Sequence, residues 1–92
     1  MYITPYIFHG GEKVIKAYIL IRTYVGKLEN VLIEMKKLNN IESVAVVTGD
    51  YDIIVKARVD VLEDLMELTD KIQLIDGIKR TTTSVIEKEI TL

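Results

Sequence analysis

A chain of 92 residues holds one folded domain and leaves no room for two. Its apolar fraction of 49% and charged fraction of 28% exclude a disordered segment and suit a globular core, one small enough that assembly with further copies would hide more apolar surface. A net charge of −2 with dispersed basic residues argues against direct nucleic-acid binding, and the lack of cysteine excludes disulfides, thiolate nucleophiles and Cys-ligated zinc.

Residues 1–16 read as an extended arm and residues 17–92 as the folded domain. Tyr2-Ile3-Thr4-Pro5-Tyr6-Ile7-Phe8 is aromatic and β-branched, with Pro5 confining it to an edge, and His9-Gly10-Gly11-Glu12 is a joint. Met1 to His9 carries no basic segment followed by a cleavage site, and the apolar runs are far short of the ~20 residues that span a bilayer, so a cytoplasmic protein is expected.

Ala17 to Thr23 is apolar on both parities up to Arg22, as in a central strand with both faces covered. From Lys27 the period becomes helical, with Leu28, Val31, Leu32, Met35 and Leu38 on one side, and Asn39-Asn40 supplies the left-handed stop. Ile41 to Thr48 returns to strand character, and Gly49-Asp50-Tyr51-Asp52 turns into Ile53 to Val59. There Ile53, Val55, Ala57 and Val59 share one face against Lys56 and Arg58. Asp60 is placed to cap a second helix in a capping box with Glu63, with Val61, Leu65, Leu68 and Ile72 buried and the stripe widened by Leu62 and Met66. Asp76-Gly77 turns into a last strand, Ile78 to Ile86, whose middle is Thr81-Thr82-Thr83-Ser84.

The order βαββαβ predicts an α+β, ferredoxin-like sandwich: an antiparallel sheet with both helices on one face, joined by right-handed crossovers. Tyr18, Leu20, Ile54 and Ile86 then project from the uncovered face among Arg22, Lys56 and Arg58, and a half-apolar face of this kind predicts a dimer formed through it.

Catalytic chemistry finds little to stand on. His9 is the only histidine, and it lies between the arm and a Gly-Gly joint. Asp50 and Asp52 lack the further oxygen ligands a divalent cation needs, and aspartate is common in turns because it bonds its own backbone. No cofactor is expected. Propensity alone makes the threonine run an edge strand with a wet face, while a row of hydroxyls beside a polar hairpin is also able to recognise a small zwitterion.

Val46-Val47-Thr48-Gly49-Asp50-Tyr51-Asp52-Ile53-Ile54-Val55, followed by Gly77-Ile78-Lys79-Arg80-Thr81-Thr82-Thr83, resembles the effector-binding (RAM) domain of the Lrp/AsnC leucine-responsive regulator family over roughly Ala17 to Glu87. The resemblance implies dimers that assemble further, often to octamers, with amino-acid effectors held at subunit contacts. It assigns Gly49 to close backbone approach, Asp50 or Asp52 to the ligand's α-ammonium, Thr81 and Thr83 to hydroxyl contacts, and Tyr51 to the pocket wall. With only sixteen residues ahead of the first core strand, a helix-turn-helix unit has no room, so the expectation is a stand-alone form that acts through full-length regulators as partners. Two other readings stay open: an assembly partner without a ligand, and a dimeric α/β-barrel enzyme.

Overall fold

A computed structural model of the protein describes residues 14–92, so the expected arm strand at Tyr2–Phe8 and joint at His9–Glu12 lie outside the described residues. The elements run β1 (Ile15–Thr23), α1 (Leu28–Met35), β2 (Ile41–Val46), β3 (Ile53–Val59), α2 (Leu62–Gln73) and β4 (Ile78–Val85). The strands form one four-stranded sheet in the order β2-β3-β1-β4, and every neighbouring pair is antiparallel. This is the ferredoxin-like architecture expected from the element order.

The register between the two central strands carries the core. Ala17 faces Ala57, Ile19 faces Val55 and Ile21 faces Ile53, and all six are fully buried. Residues opposite one another in a ladder share a sheet face, so one face is a continuous aliphatic floor. Val31 and Met35 of α1 and Leu65, Leu68 and Ile72 of α2 close onto it in a single cluster. The alternate residues point the other way: Tyr18 opposes Lys56, Leu20 opposes Ile54, and Arg22 opposes Arg80. The uncovered face thus has the composition expected of it. None of the described helices is long and apolar enough to cross a membrane.

Several boundaries differ from expectation. β1 begins at Ile15, two residues ahead of the strand start anticipated at Ala17, because Ile15 and Lys16 continue the ladder to Val59 and Arg58. α1 ends at Met35 instead of reaching Leu38; Lys37 N–H and Leu38 N–H bond to the carbonyls three residues back, a tighter turn that still leaves Leu38 packed on the core. Asn40 then takes the left-handed conformation, φ 71°, immediately before β2. β2 stops at Val46, and Val47 N–H bonds Asp52 O at 2.9 Å across the turn.

The expected cap of α2 does not form. Val61, in extended conformation, is the N-cap, and no side chain bonds the first turn. The helix starts late enough that Asp60 stands one residue outside the N-cap and Asp64, not Glu63, occupies the third helical position, so the capping-box geometry is lost. Glu63 and Asp64 still favour the first turn through the helix dipole. The buried stripe is also narrower than the spacing suggests: Val61, Leu62 and Met66 are all exposed, because Val61 lies off the helix and Leu62 and Met66 form a ridge on its flank.

Two tertiary contacts lock the edge strand in place. Gly77, with φ 110°, accepts a 2.9 Å hydrogen bond from Tyr24 N–H, and a Cβ there would stand 2.6 Å from Lys27 Cβ and 3.0 Å from Val31 Cγ2. Beyond β4, Ile86 N–H bonds Lys16 O at 2.8 Å, and Glu89 then reaches across β1 to accept from Lys56 Nζ at 2.6 Å, with Lys16 Nζ at 3.7 Å. Lys56 also stands 3.8 Å from Glu42 and over the Tyr18 ring, so one ammonium gathers the tail, β2 and β1 on the uncovered face.

Gly77→Ala combines a strained backbone with a clash that a helix position cannot yield to. We expect it to lower stability by about 2–4 kcal/mol in denaturant unfolding. The hydrogen bond from Lys56 holds the Glu89 carboxyl below its ordinary value, and the same bond raises the Lys56 ammonium. The contribution of Glu89 is therefore complete above the ordinary carboxylate range and lost as pH falls through its depressed pKa; that of Lys56 is lost only as pH rises through its raised one. In an NMR titration the Glu89 carboxyl should titrate below the ordinary glutamate value, and Lys56→Met should move it back toward that value.

Candidate functional site

The hairpin between β2 and β3 and the first half of β4 meet at the same end of the sheet, because the antiparallel register brings Ile53, Ile21 and Thr81 side by side. The turn is held there by β1. Asp52 N–H donates to Ile21 O at 2.8 Å, and the Asp52 carboxylate Oδ2 accepts from Thr23 N–H at 2.8 Å and from Thr23 Oγ1 at 3.3 Å. Arg22 Nη1 donates to Asp50 O at 2.8 Å. Three consecutive residues of the strand end, Ile21, Arg22 and Thr23, therefore hold the turn.

The six expected site residues divide in a way the motif does not reveal. Gly49 has φ 137° and nothing within 4 Å of where a Cβ would stand, so its backbone conformation, not crowding, calls for glycine, and its approach is open. Asp50 is exposed, whereas the half-buried Asp52 spends one carboxylate oxygen on Thr23. The Tyr51 hydroxyl lies 3.4 Å from Thr82 Oγ1, and the Arg80 guanidinium sits 5.8 Å from the Tyr51 ring centroid. Since β1 separates β3 from β4, Tyr51 reaches across β1 to make these contacts. Thr81 and Thr83 are placed differently. They oppose the buried Ile21 and Ile19 and so belong to the helix side of β4, where Thr81 Oγ1 accepts from Gln73 Nε2 of α2 at 3.1 Å.

Tyr51 and Thr82 are thus brought together within one chain, and Thr81 and Thr83 are directed to the opposite side of the edge strand. Thr82, Arg22 and Arg80 were not singled out by the motif. The pairing of β1 with β4 is what identifies them, since it sets Arg22 opposite Arg80 and Leu20 opposite Thr82. These three contact the turn with a hydroxyl and two positive charges.

Known proteins carry the same kind of domain. A family model described as the Lrp/AsnC ligand binding domain matches residues 16–91. The HTH-type transcriptional regulator FL11 of Pyrococcus furiosus is 36% identical over 74 residues, 80% of this chain and 49% of that protein. The crystal structure of FFRP-DM1 superimposes with a TM-score of 0.73 at 34% identity, covering 78% of this chain and 97% of that one. The transcriptional regulator NMB0573 of Neisseria meningitidis, solved as its L-Met complex, has a TM-score of 0.77 at 20% identity, covering 85% of this chain and 53% of that one, a likeness of fold. The chain spans about half the length of the curated relatives it matches, and those relatives are transcriptional regulators, not enzymes. Fold, turn and family model agree: the chain belongs to the Lrp/AsnC family of transcriptional regulators, as a ligand-binding domain.

Proposed function

We propose that this domain binds an amino acid or a related small zwitterion where copies of it meet, and passes the ligand state to transcription by assembling with partner regulators. A cytoplasmic site of action follows from that reading. The observation that carries it is the split of the site residues. The turn residues Gly49 to Asp52 and the hydroxyls of Thr81 and Thr83 lie near one end of the sheet but on different sides of its edge strand. A ligand that touched both sets would draw them from two copies, which is the arrangement the family resemblance implies. The L-Met complex of a regulator with the same fold supports the ligand class.

In this reading Asp50, whose carboxylate is exposed, takes the α-ammonium, while Asp52 holds the turn to β1 through Thr23. Gly49 leaves the backbone open to the ligand, Thr81 and Thr83 offer hydroxyls, and Tyr51 walls the site. The uncovered sheet face, with Leu20 and Ile54 at its centre and charges around them, supplies a first dimer contact, and repetition of the edge contact leads to larger rings such as octamers. One observation favours a second reading, assembly without a ligand: Asp52 and Thr81 already satisfy neighbours in their own chain.

Thermal denaturation against a panel of amino acids separates the two. A selective ligand at ten times its Kd contributes about 1.4 kcal/mol, a rise of roughly 6–11 °C for a domain of this size. Asp50→Ala should abolish that rise and leave the ligand-free transition and the oligomer size unchanged. A flat panel, with Asp50→Ala altering only the mass measured by light scattering, would replace the sensing role with a structural one.

A further inference from the structure

Where β1 leaves the sheet and β4 enters it, Arg22, Lys79 and Arg80 line a cavity of about 300 Å³. Arg22 and Arg80 are direct partners in the ladder on the uncovered face, and a bulge follows at once between Arg22 and Thr23. Like charges directly opposite one another repel, so this pairing is unfavourable unless something negative lies between them. Among the described residues, no carboxylate comes within ion-pair distance of any of the three. Their recorded partners are neutral: Asp50 O for Arg22, the Tyr51 ring for Arg80, and the Tyr24 ring 6.0 Å from Lys79 Nζ.

Arg22 itself is only partly satisfied. Its Nε is shut off from solvent and has no acceptor, the only buried side-chain donor or acceptor among the described residues left in that state. Nε itself is out of reach of anything in the cavity, so an acceptor there would meet the guanidinium through its Nη groups. The planar guanidinium fork suits a carboxylate or phosphate oxygen pair, and Lys79 adds a compact charge beside it.

We propose that this pocket is an anion site for a small, multiply charged oxyanion, a phosphate-bearing or dicarboxylate metabolite. Three cations around one cavity exceed what the single carboxylate of a zwitterionic amino acid would match, and the volume suits a compact ligand. The site is separate from the Asp50 carboxylate yet mechanically joined to the turn, since Arg22 holds the Asp50 carbonyl. Filling it would stiffen the Gly49–Asp52 hairpin, making the oxyanion a second input to the same element.

The test is an NMR titration of the arginine Nε–Hε resonances with inorganic phosphate and with citrate, at constant ionic strength maintained by sodium chloride. The expected result is a saturable shift of the Arg22 Nε–Hε signal with a midpoint at or below a few millimolar, and no response to chloride. Arg80→Gln should weaken the midpoint at least tenfold. A shift that tracks ionic strength alone, or an Arg80→Gln titration identical to the original, overturns the proposal. A signal that moves with protein concentration and not with phosphate or citrate also overturns it, by making a carboxylate of a second copy the occupant. If Arg80→Gln unfolds, Lys79→Gln takes its place, and the titration of the unaltered protein decides by itself.

Discussion

The register between β1 and β3 is the constraint on which the rest of the molecule depends. It aligns Ala17, Ile19 and Ile21 with Ala57, Val55 and Ile53, producing the one surface on which both helices close. A slip of a single residue would turn Tyr18, Leu20 and Lys56 under the helices and expose the aliphatic floor, because side chains alternate along a strand. The small residues Ala17 and Ala57 face each other toward one end of this floor, and larger aliphatics fill the other. The clean alternation of β3, polar at Lys56 and Arg58, is what makes the slipped arrangement so unfavourable.

The same register decides what the hairpin end of the sheet looks like. With β4 paired to the other edge of β1, its threonines are sorted by parity. Thr81 and Thr83 follow Ile21 and Ile19 toward the helices, and Arg80 and Thr82 follow Arg22 and Leu20 to the uncovered side. Strand β1 also delivers Arg22 and Thr23 to the hairpin, so the Gly49–Asp52 turn is anchored by the end of a central strand and not only by its own hydrogen bonds. A turn held this way presents its outer atoms, the Asp50 carboxylate and the Gly49 backbone, from a fixed base.

The uncovered face is a mixed surface whose two ends behave differently. At one end Lys56 is shared by Glu89, Glu42 and the Tyr18 ring, so its charge is answered within the chain. At the other end Arg22 and Arg80 meet only neutral groups among the described residues. Between them lie Leu20 and Ile54, half-buried without a helix above them. Charge balance at one end and charge excess at the other give the face a direction that composition alone does not express.

Local pattern was enough for the elements and their order. The two-residue period of Ile53 to Val59, the helical spacing of Val31, Met35, Leu65, Leu68 and Ile72, and the positive-φ positions at Asn40 and Gly77 are all properties of short stretches of chain. Element order with right-handed crossovers then leaves the ferredoxin-like sheet as the preferred arrangement, and the turn and threonine motifs pointed to the family. The cap of α2 was not legible, because whether a helix begins at Asp60 or after Val61 depends on how the preceding strand delivers the chain. Nor was the way the site divides. Thr81, Thr82 and Thr83 are equivalent as sequence, and only their pairing with β1 assigns each a face. Arg22, Lys79 and Arg80 become one pocket because antiparallel pairing joins segments more than fifty residues apart. By itself the sequence determined periodicity, turns and family, since these are local; the tertiary structure decided which side chains share a face, since that follows from register between distant strands.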